Sequence, residues 1–164
     1  MKKLLSYTLL VCSLIFAAAT ANAQFKNGKS MLGPHIGLSQ YGGTVTLGAM
    51  FEAPVTKPNE AGPGIIGVAG QLYYYSYDYF TYTSIGVYGN YHFVLDNREL
   101  DPFIGLGINY ENVGVSNGYV AASASGIYFG IQGGIRYFFS PNVAGRLMVG
   151  NAVSFLTLGV DFGL

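Results

Sequence analysis

The chain has 164 residues, a length that fits one domain, and it carries eight basic and eight acidic residues. No basic run is long enough to follow the phosphates of a nucleic acid, so we expect no nucleic-acid partner. Charged residues make up 10% of the sequence and aromatic residues 15%, whereas soluble domains average about 25% charged residues. We therefore do not expect a surface that faces water throughout.

The first 23 residues have the pattern of an export signal. Lys2 and Lys3 give a positive start, an apolar stretch follows as far as residue 19, and the last three residues are small-x-small. This pattern predicts a signal peptide over residues 1–23, cleavage between Ala23 and Gln24, and a mature domain over residues 24–164.

The sequence has one cysteine, Cys12, which would leave with the signal, so no disulfide can stabilise the mature fold. Lipid attachment at Cys12 is a minor alternative, disfavoured by the bulky Val11 before it. After the signal no run of about 18 apolar residues remains, so no transmembrane helix is expected. The other structure that satisfies its backbone hydrogen bonds within lipid is a closed β-barrel.

Eight segments of the mature chain alternate between apolar residues and small or polar ones, which predicts β-strands. In chain order they span residues 32–39, 44–52, 66–75, 84–93, 104–111, 127–139, 143–150 and 156–164. Pro34 marks a weak point in the first, because proline cannot donate a ladder hydrogen bond. Short connections and an even strand count predict an eight-stranded antiparallel up-and-down transmembrane β-barrel.

The charges within these strands distinguish a membrane barrel from a soluble lipocalin-like barrel or a β-sandwich, which also have one apolar face per strand. Every such charge falls on the small, polar face: Glu52, Glu111, Arg136, Arg146 and Asp161. A soluble protein would instead cover its outer face with Lys and Glu. We therefore expect the apolar face to meet lipid, and the polar face to fill a lumen too narrow for an open pore.

The same residues predict an ion-pair network in the lumen. Arg136, Arg146 and Asp161 lie on three consecutive strands, and Glu111 or Glu52 could join them. Because buried charges need partners, stabilisation is the role that we expect, and a gate or substrate site is the alternative.

Aromatic residues predict two interfacial girdles, since such side chains favour both faces of a membrane. One girdle would hold Tyr41, Tyr74, Tyr82 and Tyr110, and the other Phe51, Phe93, Phe139 and Phe162. Residues 73–82 are unusually rich in tyrosine. They would form either an enlarged girdle or a protruding hairpin whose edge binds a surface protein or glycan.

Four segments carry a resemblance to a known family: Gly-Asn-Tyr-His-Phe at 89–93, Asp-Pro-Phe-Ile-Gly-Leu-Gly at 101–107, Gly-Ile-Arg-Tyr-Phe at 134–138, and the ending from 155 to 164. Through them the mature chain resembles the outer membrane protein β-barrel domain family, related to the OmpX and OmpW groups and common in Bacteroidota. The resemblance implies a place in the cell outer membrane, contact with outer-membrane lipid, and insertion by the barrel assembly machinery. The last strand resembles the signal for that machinery, although Leu164 stands where a terminal Phe is usual.

No constellation of residues points to catalysis. His35 and His92 are the two histidines, and Ser39, the nearest serine on the face of His35, lies roughly 13 Å along the strand. We predict no catalytic residue, cofactor or metal site, and hence no enzyme.

The expected function is a structural or surface-interaction role in the cell envelope. An OmpW-like conduit for small hydrophobic molecules is the alternative, and a lipid-modifying barrel enzyme a minor one.

Overall fold

The computed structural model describes residues 25, 28–40, 43–116, 121–151 and 153–164. They form a closed barrel of eight antiparallel strands in chain order, with β8 pairing back to β1. The predicted up-and-down barrel is therefore confirmed. The predicted signal peptide, its cleavage site at Ala23 and Gln24, and the girdle residue Tyr41 lie outside the described residues.

The strands run as one continuous meander. Their bounds are β1 Met31–Ser39, β2 Val45–Pro54, β3 Ile65–Tyr77, β4 Phe80–His92, β5 Leu100–Ser116, β6 Ala121–Ser140, β7 Val143–Gly150 and β8 Ser154–Gly163. We call the end at which β1 begins and β8 ends the lower end. The end with the β3–β4 and β5–β6 hairpins is the upper end.

Side chains alternate between the lumen and the outer surface along most of each strand, with register shifts at Ser39 and between Phe138 and Ser140. Along β1 every second residue from Met31 to Ser39 is buried and those between are exposed. Polar residues, glycines and some large aromatic and methionine side chains face inward, and the outward face is apolar and exposed, the reverse of a soluble barrel. Large outward side chains include Leu32, Ile36, Leu47, Phe51, Val68, Leu72, Ile85, Val87, Ile104, Leu106, Ile108, Ile131, Leu147, Val149, Leu158 and Val160.

Inward-facing glycines make room for large side chains in the narrow lumen. The ring of Tyr88, which is 1% exposed, lies against Gly86, Gly107 and Gly130 on three neighbouring strands. A Cβ on Gly130 would stand 2.1 Å from the Tyr88 hydroxyl oxygen. The lumen is therefore packed by complementary large and small residues and is not an open pore.

The barrel wall is much taller on one side than on the other. At the upper end β5 and β6 pair as far as Ser116 and Ala121, whereas β7 ends at Gly150, opposite Gln132 of β6. Ser116 and residues 121–125, which the sequence places between two predicted strands, thus belong to the long strands β5 and β6. A sheet formed by the upper parts of β3, β4, β5 and β6 rises above the rest of the wall, and we call it the protruding sheet.

The β3–β4 hairpin turns through only two residues, Asp78 and Tyr79. Asp78 has a φ of 50°, in the left-handed region that a tight hairpin turn requires. At the upper end both strands are longer than predicted, since β3 continues to Tyr77 and β4 begins at Phe80. The tyrosine-rich segment is therefore a strand hairpin at the edge of the protruding sheet. No described helix is long and apolar enough to cross a membrane.

Candidate functional site: the lumen and its upper mouth

Arg136 of β6 is the centre of a charged network in the lower half of the lumen. Its side chain is fully buried, and its Nε donates to Asp161 Oδ2 of β8 at 2.6 Å. Nη2 donates to Glu52 Oε2 of β2, and Nη1 lies 3.4 Å from Asp101 Oδ2 of β5. Three carboxylates from three strands therefore surround one guanidinium group, which compensates for the loss of its hydration.

His92 joins two of these carboxylates. Its Nε2 lies 3.0 Å from Glu52 Oε1 and its Nδ1 lies 2.8 Å from Asp101 Oδ1. Neither His92 nor Asp101 is among the network residues predicted from the sequence. The alternation of β4 places His92 on the inner face, so this residue could have been predicted. Asp101 could not, because the sequence places it in a connection, whereas β5 begins at Leu100.

A chain of amides continues the network toward the upper half of the lumen. Asn90 Nδ2 donates to Glu52 Oε1 at 2.6 Å, and Gln132 Nε2 donates to Asn90 Oδ1 at 2.8 Å. Gln71 Nε2 then donates to Gln132 Oε1 at 2.7 Å. These bonds join β2 to β4, β4 to β6 and β6 to β3. They therefore connect strands that are not neighbours in the β-ladder.

Arg146 lies beside the network, with weaker contacts. Its Nη2 is 3.4 Å from Asp161 Oδ1 and 3.3 Å from His35 Nδ1, and its Nη1 is 2.7 Å from the sulfur of Met50. The structure thus brings together four of the predicted network residues: Glu52, Arg136, Arg146 and Asp161.

Phe25 covers the lower end of the network. It is 1% exposed, its ring stacks on His92 at 4.0 Å, and the Arg136 guanidinium carbon lies 5.6 Å from its centroid. Phe25 also packs in a buried cluster with Met31 and Ile65. The charged groups are therefore separated from water at this end.

Glu111 does not belong to the network, contrary to the expectation from sequence. It faces inward, but it lies near the top of β5, opposite Ser84 of β4 and Gly126 of β6. It makes no hydrogen bond or ion pair with any described residue. Alternation gives the face of a residue but not its height in the barrel, which explains the error.

The predicted girdle residues that the structure describes divide between the two ends of the outer surface, with one exception. Tyr74 is exposed toward the upper end, and toward the lower end Phe93 and Phe139 are exposed and Phe162 is half-buried. Tyr82 faces inward and stacks on Tyr75 at 4.3 Å, so it does not form part of an outer girdle. Its even spacing from the inward Ser84 accounts for this position.

Many of the described polar groups of the lumen form ion pairs and hydrogen bonds with one another. The side-chain hydrogen-bond partners of the two histidines are ion-paired carboxylates and Arg146, and none among the described residues is a serine or threonine hydroxyl that could act as a nucleophile. Within the described ranges no group of three or more His, Cys, Asp or Glu residues could hold a metal ion.

No family model and no curated protein matches the sequence. Solved structures match in fold. The N-terminal β-barrel domain of OprF from Pseudomonas aeruginosa aligns with a TM-score of 0.68 at 15% identity, over 84% of this chain and 98% of that one. Ail, the attachment invasion locus protein of Yersinia pestis, aligns with a TM-score of 0.59 at 14% identity, over 83% and 97% of the two chains.

Neisserial surface protein A also aligns, with a TM-score of 0.51 at 19% identity, over 83% of this chain and 95% of that one. All three are small outer-membrane barrels of eight strands. At these identities the likeness shows a shared fold. The chain therefore has the fold of a small, closed barrel of eight strands.

Proposed function

We propose that this chain is a non-enzymatic barrel of a Gram-negative outer membrane with a structural or surface-interaction role in the cell envelope. The observation that carries the proposal is the inversion of the fold, with apolar side chains exposed outside and paired charges buried inside. Such a surface is stable in lipid, where a closed barrel satisfies its own backbone groups. The resemblance to small barrels of the OmpX and OmpW type supports the same role.

The proposal includes a route to the membrane. The signal over residues 1–23 would direct export and be cleaved after Ala23, and the barrel assembly machinery would insert the mature domain by means of its last strand. Both chain ends and the lower end of the barrel would then face the periplasm, which places the protruding sheet outside the cell. Antibody labelling of a tag inserted after Asp78 on intact cells tests this orientation, because a periplasmic tag would remain unlabelled.

The packed lumen supports a role that does not involve conduction. Arg136, Glu52 and His92 fill the lower half, and Phe25 covers it from below. In planar bilayers the purified barrel should therefore show no steady single-channel conductance. Steady conductance would refute a sealed structural barrel.

Heat-modifiable gel mobility tests the membrane assignment separately. Folded membrane barrels resist unfolding by cold detergent, so we expect the unheated protein to migrate differently from the boiled one. Far-UV circular dichroism in detergent should show β-structure. A water-soluble monomer whose mobility is insensitive to heat would contradict the assignment.

The protruding sheet is the surface that we propose for interaction with a surface protein or glycan. Its hairpin presents Tyr77 and Tyr79, which are 52% and 62% exposed. Deleting Ser76–Thr81 should abolish adhesion of cells that display the barrel, and replacing both tyrosines with serine should weaken it. Replacement of Tyr137 near the lower end by serine is the matched control, and equal loss of adhesion there would refute the hairpin as the binding element.

A conduit for small hydrophobic molecules is a second candidate, favoured by one detail of the wall. β1 pairs with β8 at Leu32 and again at His35, while Gly33 and Pro34 between them form no pair on that side. A weak seam of this kind would allow lateral exit into lipid. Proteoliposomes would distinguish the candidates, since only a conduit should accelerate uptake of an apolar dye.

A further inference from the structure

Glu111 differs from every other inward-facing acidic side chain that the structure describes within the barrel. Glu52, Asp101 and Asp161 are all ion-paired to Arg136. The half-buried Glu111 has neither an ion pair nor a hydrogen bond among the described residues. A partly desolvated carboxylate without a partner is unfavourable in a structural role, and it marks a place where a cation would be stabilised.

Aromatic rings flank this carboxylate on both neighbouring strands. Glu111 stands opposite Ser84 and Gly126, so Tyr82 of β4 and Tyr128 of β6 are its diagonal neighbours on the inner face. The Tyr128 ring lies over Gly126, where an added Cβ would be 2.9 Å from its hydroxyl oxygen. Tyr128 is 53% exposed, because β7 ends below it and leaves one side of the ring uncovered.

The floor of the same region contains polar atoms without partners. Ser84 is 1% exposed and its hydroxyl makes no hydrogen bond with any described residue. Asn109, also 1% exposed, uses Nδ2 to contact Tyr88 but leaves its Oδ1 unbonded. Both side chains face inward. Ser84 of β4 lies directly opposite Glu111, and Asn109 lies two residues below Glu111 on β5. The Ser84 hydroxyl therefore adds an unbonded oxygen at the height of Glu111, and Asn109 Oδ1 lies below it, over Gly86.

The charge distribution of the whole barrel favours a positive ligand at this end. Of the described residues outside the lumen network, every Lys and Arg lies toward the lower end: Lys29, Lys57 and Arg98. The described charges of the protruding sheet and its turn are Asp78 and Glu111, both acidic. An anionic ligand would thus meet only negative charge here, whereas a cation would be attracted.

We propose that Glu111, Tyr82 and Tyr128 form a binding site for an organic ammonium group at the upper mouth of the barrel. The carboxylate would neutralise the cation, and the Tyr128 ring and the face of Tyr82 opposite Tyr75 would contact it through cation–π attraction. The group would be either a primary ammonium, as on a lysine side chain, or a quaternary one, as in choline. This site rests on the surface-interaction role proposed above and specifies its ligand chemistry.

Ligand-observed NMR on the purified barrel in octyl glucoside, a detergent without charge or choline, tests the site. The probes are choline, Nα-acetyl-lysine methylamide, and an uncharged choline analogue in which a tert-butyl group replaces the trimethylammonium group. We expect millimolar binding of at least one ammonium probe and none of the uncharged analogue. Selectivity between the two ammonium probes identifies the source of the natural group. Equal binding of choline and its uncharged analogue, or binding of neither ammonium probe, would overturn the proposal.

Variants connect binding to the named residues. E111Q keeps the shape and removes the charge, so it should weaken binding about tenfold or more. Y128L should weaken it roughly 3- to 30-fold, while Y128F, which keeps the ring, should bind normally. D78N, which removes the other acidic charge of this end, is the matched control and should bind as the parent does. Unchanged binding by E111Q in a barrel with normal heat-modifiable mobility would refute the site and leave the membrane assignment intact.

Discussion

The guanidinium group of Arg136 and the carboxylate of Glu52 meet inside the barrel, although β6 and β2 stand on opposite walls. The ladder of a barrel bonds each strand only to its two neighbours. Arg136 adds direct connections to β2, β5 and β8, so one side chain links four strands across the lumen. The network thereby resists flattening of the barrel, a deformation that the ladder alone does not oppose.

Replacing Arg136 with methionine should destabilise the folded barrel strongly. The substitution keeps much of the side-chain volume but leaves Glu52, Asp101 and Asp161 without their common partner. Removing one member of a buried ion pair costs about 3–5 kcal/mol. We expect a loss of this size in the free energy of unfolding, measured by urea titration in lipid vesicles.

Two further variants separate charge from packing at Arg136. The double variant R136M/E52Q should be more stable than R136M alone, because one uncompensated charge has been removed. K57M, at an exposed position of the β2–β3 connection, should change stability by less than about 0.5 kcal/mol. If R136M behaved like K57M, the network would have no stabilising role.

Gly107 and Gly89 provide a matched test of lumen packing. A Cβ on Gly107 would stand 2.3 Å from the carbonyl oxygen of Val87 and 2.6 Å from the ring of Tyr88, whereas nothing lies within 4 Å of one on the outward-facing Gly89. G107A should therefore cost about 1–3 kcal/mol through overpacking. G89A should remain within about 0.5 kcal/mol of the parent. Urea titration measures both, and equal effects would show that the Tyr88 ring is not confined against this wall.

The sequence was sufficient for the strand number and for the face of the residues within the predicted strands, because both follow from a period of two that persists for a strand's length. The upper ends of β5 and β6 were missed for a physical reason. Residues 121–126 are Ala, Ser and Gly, which have little preference for strands, and they are extended because β5 pairs with them. Pairing with a neighbouring strand is not visible in a local pattern.

The lumen network was predictable only in part. Inward parity selected Glu52, Arg136, Arg146 and Asp161, but contact also requires similar height, which depends on the register between strands. Register places Asp101 opposite Arg136, and it places Glu111 far above, opposite Gly126. Because turns and pairing set register together, alternation alone cannot separate these two carboxylates.

A lysine on the outer surface should be costly only within the apolar belt. Leu106 is 67% exposed on β5, where it pairs with Gly89 and Ile131 in the middle of two long strands. L106K should lower the free energy of unfolding from lipid vesicles by about 2–4 kcal/mol. V55K, at a residue 58% exposed in the β2–β3 connection, is the control and should be nearly neutral. An equally small effect of L106K would mean that this surface does not contact lipid.

Hydrogen exchange should reveal the free edge of β6 above the end of β7. The amide nitrogen of Asn151 donates to the carbonyl of Ile131, and the Ile131 amide donates to the Asn151 side chain, so the backbone of Ile131 faces β7. Residues two and four positions earlier, Phe129 and Ile127, point the same way. No described residue of β7 reaches them, so their amides lack a strand partner.

Tyr128 and Gly130 point toward β5 and pair within the long β5–β6 ladder, so they are internal controls on the same strand. In detergent micelles, the Ile127 and Phe129 amides should exchange at least about tenfold faster than those of Tyr128 and Gly130, since protection depends on a hydrogen-bonded partner. NMR-detected exchange resolves the four amides individually. Equal protection of all four would show that another strand covers this edge, and the wall would then be as high beside β6 as it is at β5.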